Sequence, residues 1–137
     1  MKNILVLFFA SILLFSCNKD DDNTTTNPFI GKWEISHERY AYINNGIQGD
    51  WSNWNPTFFN QEWVFLNSNQ MKLQSIDNVY QDGTYIYNEN QSMLTITVPE
   101  AEIVNYQYTV TEINENEFVI ENRYEYEVYQ TKFIKIE

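Results

Sequence analysis

The sequence predicts an all-β protein, an eight-stranded antiparallel up-and-down barrel carried behind a signal peptide and a polar tether. Three observations point there. Beyond Pro28, apolar and polar residues alternate with the two-residue period of a half-buried strand. No long segment after the N-terminus shows the 3.6-residue period of an amphipathic helix. Asn, Asp and a few Gly residues break the alternation at short intervals, so neighbouring strands are joined by tight turns. A meander of eight such strands leaves two sheet edges unpaired, and closing it into a barrel removes both. A β-sandwich is the runner-up architecture. The 137 residues allow one domain and hardly two. Ten Tyr, nine Phe and four Trp are too many for a disordered chain.

The chain opens on the short basic start Met1-Lys2-Asn3. Ile4 to Phe15 is then an apolar run broken only by Ala10 and Ser11, a signal h-region in length and too short to span a bilayer. It ends in Leu14-Phe15-Ser16-Cys17, which resembles the lipobox of bacterial lipoproteins. That resemblance implies a signal peptide of residues 1–16, cleavage before Cys17, and acylation of its sulfur and new amino group. Each acyl methylene buried in the membrane contributes roughly 0.8 kcal/mol, so several chains on one residue anchor firmly. Cys17 is the single cysteine, and the fold stands without a disulfide. Lys19 followed by Asp20-Asp21-Asp22 resembles the export signal that flips lipoproteins to the outer face in one Gram-negative phylum. The implied address is the outer membrane, lipid-anchored through Cys17 and facing the cell exterior. Residues 17–27 form the lipidated Cys and its tether. The stretch Asn18–Asn27 reaches roughly 33 Å at full extension, enough to lift a small domain clear of the headgroups.

Residues 28–137 form the barrel domain. Strand one spans Gly31 to Tyr40, with Trp33, Ile35 and His37 on one face. Strand two, Gln61 to Asn67, carries Trp63 and Phe65. The polar turn Ser68-Asn69 leads to strand three, Met71 to Ile76. Asp82-Gly83 has the turn composition that tolerates positive φ, and strand four follows as Thr84 to Asn88 with Tyr85 and Tyr87 together. After the polar loop Asn88–Gln91, Met93 to Val98 alternates cleanly and Pro99 closes it. Ile103 to Glu112 sets Val104, Tyr106, Tyr108 and Val110 against a polar opposite face. Asn114-Glu115-Asn116 turns the chain into Glu117–Asn122 and then Glu127–Ile136.

Phe29-Ile30-Gly31-Lys32-Trp33-Glu34-Ile35 is similar to the opening of lipocalins and of short bacterial lipocalin-like domains, whose Gly-x-Trp is here Gly31-Lys32-Trp33. Glu62-Trp63-Val64-Phe65, Asp82-Gly83-Thr84-Tyr85, Met93-Leu94-Thr95-Ile96, Tyr106–Val110 and Glu117–Ile120 match further strands of the bacterial domains in order. The likeness runs over nearly all of residues 29–137. It implies a lipocalin-like barrel in which Gly31 and Trp33 have structural roles, the Trp plugging one end. It also implies a cation over that Trp from near the chain end, with Arg123 and Lys135 as candidates. The helix that secreted lipocalins carry after the last strand has no counterpart here.

A formal net charge of −11 argues against a nucleic-acid partner, which needs a basic footprint. His37 is the single histidine and reads as a buried, hydrogen-bonded core residue. With no second His or spare Cys, no metal site is expected. There is no Gly-x-Ser-x-Gly elbow and no Gly-rich phosphate loop, and Asp20–Asp22 lacks calcium-loop spacing. No cofactor and no enzymatic activity are expected. Glu38, Glu121, Glu125 and Glu127 read as solvated acidic strand faces.

The long stretch Tyr42–Asn60 carries Trp51, Trp54, Phe58 and Phe59 among polar residues. These aromatics have three destinations: a lid or rim over the barrel mouth, an exposed binding surface, or a hydrophobic cluster. Two functional classes follow. In the first, the barrel holds a small apolar or amphipathic ligand, with Tyr85, Tyr87, Tyr106 and Tyr108 supplying an apolar wall and orienting hydroxyls, and Trp51, Trp54, Phe58 and Phe59 the rim. In the second, a filled barrel meets a glycan or protein as an interaction module of a surface assembly. A monomer is expected in either case.

Overall fold

The structure, a computed structural model, describes residues 27–57, 61–74, 79–99 and 103–137. The signal segment, Cys17 and the tether before Asn27 lie outside the described residues, as do Phe58 and Phe59. The strands are β1 Gly31–Asn44, β2 Ile47–Gln48, β3 Asn55–Pro56, β4 Glu62–Phe65, β5 Gln70–Gln74, β6 Tyr80–Asn88, β7 Met93–Pro99, β8 Ile103–Ile113, β9 Glu117–Arg123 and β10 Glu127–Lys135. From β4 to β10 each strand pairs antiparallel with the next; β4 also pairs with β1, and β10 returns to β1. The result is a closed, all-β, antiparallel barrel of eight strands, β1 and β4–β10. The short β2 and β3 are additions on β1.

β1 runs to Asn44, beyond the end at Tyr40 read from the sequence. Two further features differ from that reading, each for a local reason. Asp82-Gly83 is not a turn. It lies inside β6, opposite Lys72 and Met71 of β5. Gly83 is required by close packing there, since a Cβ would come within 2.9 Å of the Thr97 carbonyl. The polar turn at Ser68-Asn69 is present, with both residues at positive φ (62° and 60°).

The second difference is a bulge. In the β1–β10 register Ile35 faces Phe133 and His37 faces Lys132, which leaves Ser36 without a partner. One extra residue reverses the side-chain alternation beyond it. Trp33 and Ile35 therefore point inward, but so do Glu38, Tyr40 and Tyr42. His37, Arg39, Ala41 and Ile43 point outward. The expectation that His37 shares the face of Trp33 and Ile35 fails for this reason; it is half-buried on the outer wall, opposite Pro56 of β3.

One end of the barrel is sealed. Phe29, Trp33, Phe65, Tyr85 and Phe118 are all buried there, and Trp33 is 0% exposed. The chain crosses this end at Phe29, whose ring meets Phe65, Tyr87 and Phe118 at 5.3, 4.9 and 5.1 Å. Its carbonyl accepts a 2.6 Å hydrogen bond from Trp33 Nε1, which satisfies the indole donor in the core. The Lys135 ammonium stands 5.3 Å from the Trp33 ring centre, so of the two candidate cations Lys135 takes that position. Gly31, at φ 135°, lets the chain end lie against it: an added Cβ would sit 2.6 Å from the Glu137 carbonyl and 2.7 Å from Lys135 Cε. That carbonyl accepts from the Lys32 amide at 2.8 Å. Above this plug, Trp63, Leu94, Ile96, Val110, Ile120 and Phe133 continue the same buried cluster.

Candidate functional site: the open end of the barrel

The inner face changes character with height. On β10, Phe133 is fully buried, and the residues above it on the same face are Thr131, Tyr129 and Glu127. On β1 the corresponding positions beyond the bulge are Glu38, Tyr40 and Tyr42, paired with Thr131, Tyr129 and Glu127. On β8, Tyr108 and Tyr106 lie above Val110. Trp63 forms the floor, its ring 4.6 Å from Phe133 and 5.8 Å from Tyr108. Among the described residues this end remains open. Glu38, Asn122, Tyr124, Glu127, Tyr129 and Thr131 line a shallow bowl of about 520 Å³.

Tyrosines make the collar. Tyr40 meets Tyr42 edge-to-face at 5.4 Å and Tyr129 at 6.1 Å, while Tyr124 meets Tyr129 edge-to-face at 5.9 Å. Tyr106 and Tyr108 stack at 6.4 Å. Tyr40 and Tyr129 are each 38% exposed and Tyr42 56%. The Tyr129 hydroxyl donates to the Glu127 carboxylate, and that bond pushes its pKa up to about 12. Burial pushes Tyr108 up to about 12 as well, so both remain neutral donors at physiological pH. Beside them, the buried side-chain oxygen of Asn122 has no donor among the described residues.

The tyrosines singled out in the sequence divide between the two ends. Tyr106 and Tyr108 belong to the open end. Tyr85 and Tyr87 belong to the sealed end and are no ligand wall. Tyr85 is buried, accepts from Asn27 Nδ2 at 2.8 Å and donates to the Leu66 carbonyl at 3.1 Å. Tyr87 packs on Phe29.

Trp51 and Trp54 do not form a lid or rim. The segment after β1 folds back along that strand: the amides of Gly49, Ser52 and Thr57 donate to the carbonyls of Tyr42, Tyr40 and Ser36 at 2.9, 2.8 and 3.0 Å. β4 pairs only with residues 31–34 of β1, so this return satisfies the upper edge that β4 leaves open. Both indoles then lie outside the barrel. Trp51 packs on Ala41, Ile43 and Val128, which form a second buried cluster on the outer wall. The Arg39 guanidinium sits 4.9 Å from the Trp51 ring and 4.3 Å from the Trp54 ring, with Lys132 5.0 Å from Trp54. Arg39 Nε donates to Gln130, and Gln130 in turn donates to Glu121 at 2.9 Å.

The sequence reading missed Tyr40, Tyr42, Tyr124 and Tyr129 and took Glu38 and Glu127 as solvated faces. The available signal was the i, i+2 pairs Tyr40/Tyr42 and Glu127/Tyr129, each of which must share a face. Other recesses lie elsewhere. One of about 420 Å³ opens on the outer wall between Lys72, Asp82 and Thr97, and one of about 820 Å³ opens beneath the sealed end near Asn27 and Asn116. Neither gathers aromatic rings.

Fold and site define a small closed β-barrel, solid at one end and, among the described residues, open through a tyrosine collar at the other. No protein-family model matches the chain, and no curated protein sequence matches it. Among solved structures, the crystal structure of a lipocalin-like protein from Bacteroides uniformis is similar at 14% identity. The match covers 80% of this chain and 99% of that chain, with a TM-score of 0.49. The assignment of a closed barrel stands on this chain's own β10–β1 pairing.

Proposed function

We propose that this protein is a lipid-anchored binding protein of the outer cell surface whose barrel receives a small amphipathic molecule at its open end. The observation that carries the reading is the exposure of inward-facing rings. Tyr40, Tyr42, Tyr106 and Tyr129 point to the barrel axis yet stay substantially exposed. Rings gathered in a concave site with hydroxyls at hand offer apolar contact and hydrogen bonds together. The packed floor at Trp63 and Phe133 limits depth, so an apolar portion rests on the collar and floor while the polar portion meets Asn122, Thr131 and the carboxylates. The lipobox and acidic tether support display on the cell surface.

Calorimetric titration with octyl glucoside tests this reading. Changing Tyr106 and Tyr129 together to Ala should weaken binding at least tenfold, about 1.4 kcal/mol, with little change in melting midpoint. Unchanged affinity, or no binding of any short-chain amphiphile to the unaltered protein, would refute it. The solid sealed half favours a second reading, in which the same collar contacts a glycan chain of a surface partner; soluble oligosaccharides in the same titration would reveal it.

A further inference from the structure

Resting on that reading of the open end, we propose that the bowl selects a cationic head group, an amine or quaternary ammonium carried on a short apolar body. Three independent observations converge on this class. The first is the wall. Tyrosine rings present negative π faces, and several of them around one recess attract a cation on geometry alone. Tyr124 and Tyr129 line the bowl with Tyr40 directly against Tyr129.

The second is charge placement. Glu38 and Glu127 both line the bowl, and no described cation faces it. Lys32 is paired with Glu62 at 2.9 Å, and its neighbour in sequence, Trp33, is the inward residue. Lys72 stands beside Asp82 at 3.9 Å and Lys132 beside Glu117 at 3.8 Å. Arg39 lies against the outer tryptophans, and Arg123 donates to Gln48 at 3.4 Å. Lys135 covers Trp33 at the sealed end. Every described positive side chain is thus on the outer wall or at the far end, and the two carboxylates of the bowl are left for a ligand's charge. Low-dielectric walls around one sign of charge concentrate the opposite sign.

The third is hydrogen-bond polarity. The bowl is rich in acceptors: two carboxylates, and the Asn122 oxygen that lacks a donor. A protonated amine satisfies such groups with its N–H donors and a quaternary ammonium meets the carboxylates with its charge, whereas an anionic head would add another acceptor and a like charge.

The test uses the full chain and three probes of equal chain length, octyltrimethylammonium, octyl glucoside and octanesulfonate, each below its micellar range. The ammonium should bind at least tenfold more tightly than the sulfonate, and the preference should fall as salt rises. The double change Glu38→Gln with Glu127→Gln should reduce the preference to within about threefold. The charge-matched double change Glu112→Gln with Glu115→Gln, at exposed positions toward the sealed end, should leave it intact. If both doubles lose the preference equally, attraction is to the bulk charge and the inference falls. If all three probes bind alike through Tyr106 and Tyr129, the open end is a ligand site without charge selection; the inference falls while the function reading stands. If none binds, both fall.

Discussion

Trp33 gives the sharpest stability prediction. Its ring is fully buried, meets Phe118 at 4.8 Å, and carries the indole donor that satisfies the Phe29 carbonyl. Trp33→Ala removes the largest of the fully buried side chains, for which roughly 3–5 kcal/mol is expected from lost transfer energy and the cavity left behind. It also leaves the Phe29 carbonyl without its donor at the sealed end, which adds about 1–3 kcal/mol. Domains of this size have about 5–15 kcal/mol in total, so the variant should lie at the edge of folding. Trp33→Phe separates the two parts. It keeps most of the apolar volume and loses the hydrogen bond, so it should cost about 1–3 kcal/mol. Urea melts of a chain beginning at Asn27, followed by far-ultraviolet circular dichroism, read both. A loss below about 1 kcal/mol for Trp33→Ala would mean that this ring does not plug the barrel.

Other expectations follow from the same geometry. Changing Trp51 and Trp54 together to Ala uncovers Ala41, Ile43 and Val128 and strips both rings from Arg39; it should destabilise by about 2 kcal/mol or more while leaving amphiphile affinity within about twofold, and the reverse pattern would restore these residues to the binding site. Tyr108 ionises near 10 in the unfolded chain but near 12 when folded. Its raised folded value means that stability is intact below pH 10 and falls between about pH 10 and 12. Tyr108→Phe should remove part of that fall, and an unchanged alkaline melt profile would contradict its burial. Cys17→Ala should abolish labelling by a radioactive fatty acid in cells, and continued labelling would sink the lipoprotein reading.

Much of the barrel was legible because alternation is a local property. Leu94, Ile96 and Val98 announce an inward face without any knowledge of their partners, and the structure pairs them as such. What alternation cannot give is height along the barrel axis. Tyr85 and Tyr106 have the same signature, yet the stagger between strands sends one to the sealed end and the other to the mouth. The Ser36 bulge is similarly silent, since one inserted residue carries no composition of its own, and it alone decides that Tyr40 and Tyr42 face inward and Arg39 outward. The tryptophan segment was misplaced for a related reason. Its task is to pair the part of β1 that the short β4 leaves open, and strand-length mismatch is visible only once the sheet is assembled.

The claim that the open end is the binding site is tested most directly by mapping backbone amide shifts while octyltrimethylammonium is titrated into isotope-labelled protein. The account predicts that the largest shifts fall at Glu38, Asn122, Glu127, Tyr129 and Thr131, with the sealed end at Phe29, Trp33 and Tyr85 and the outer segment at Trp51 and Trp54 nearly still. Shifts concentrated on that outer segment, or spread evenly over the acidic surface, would contradict it.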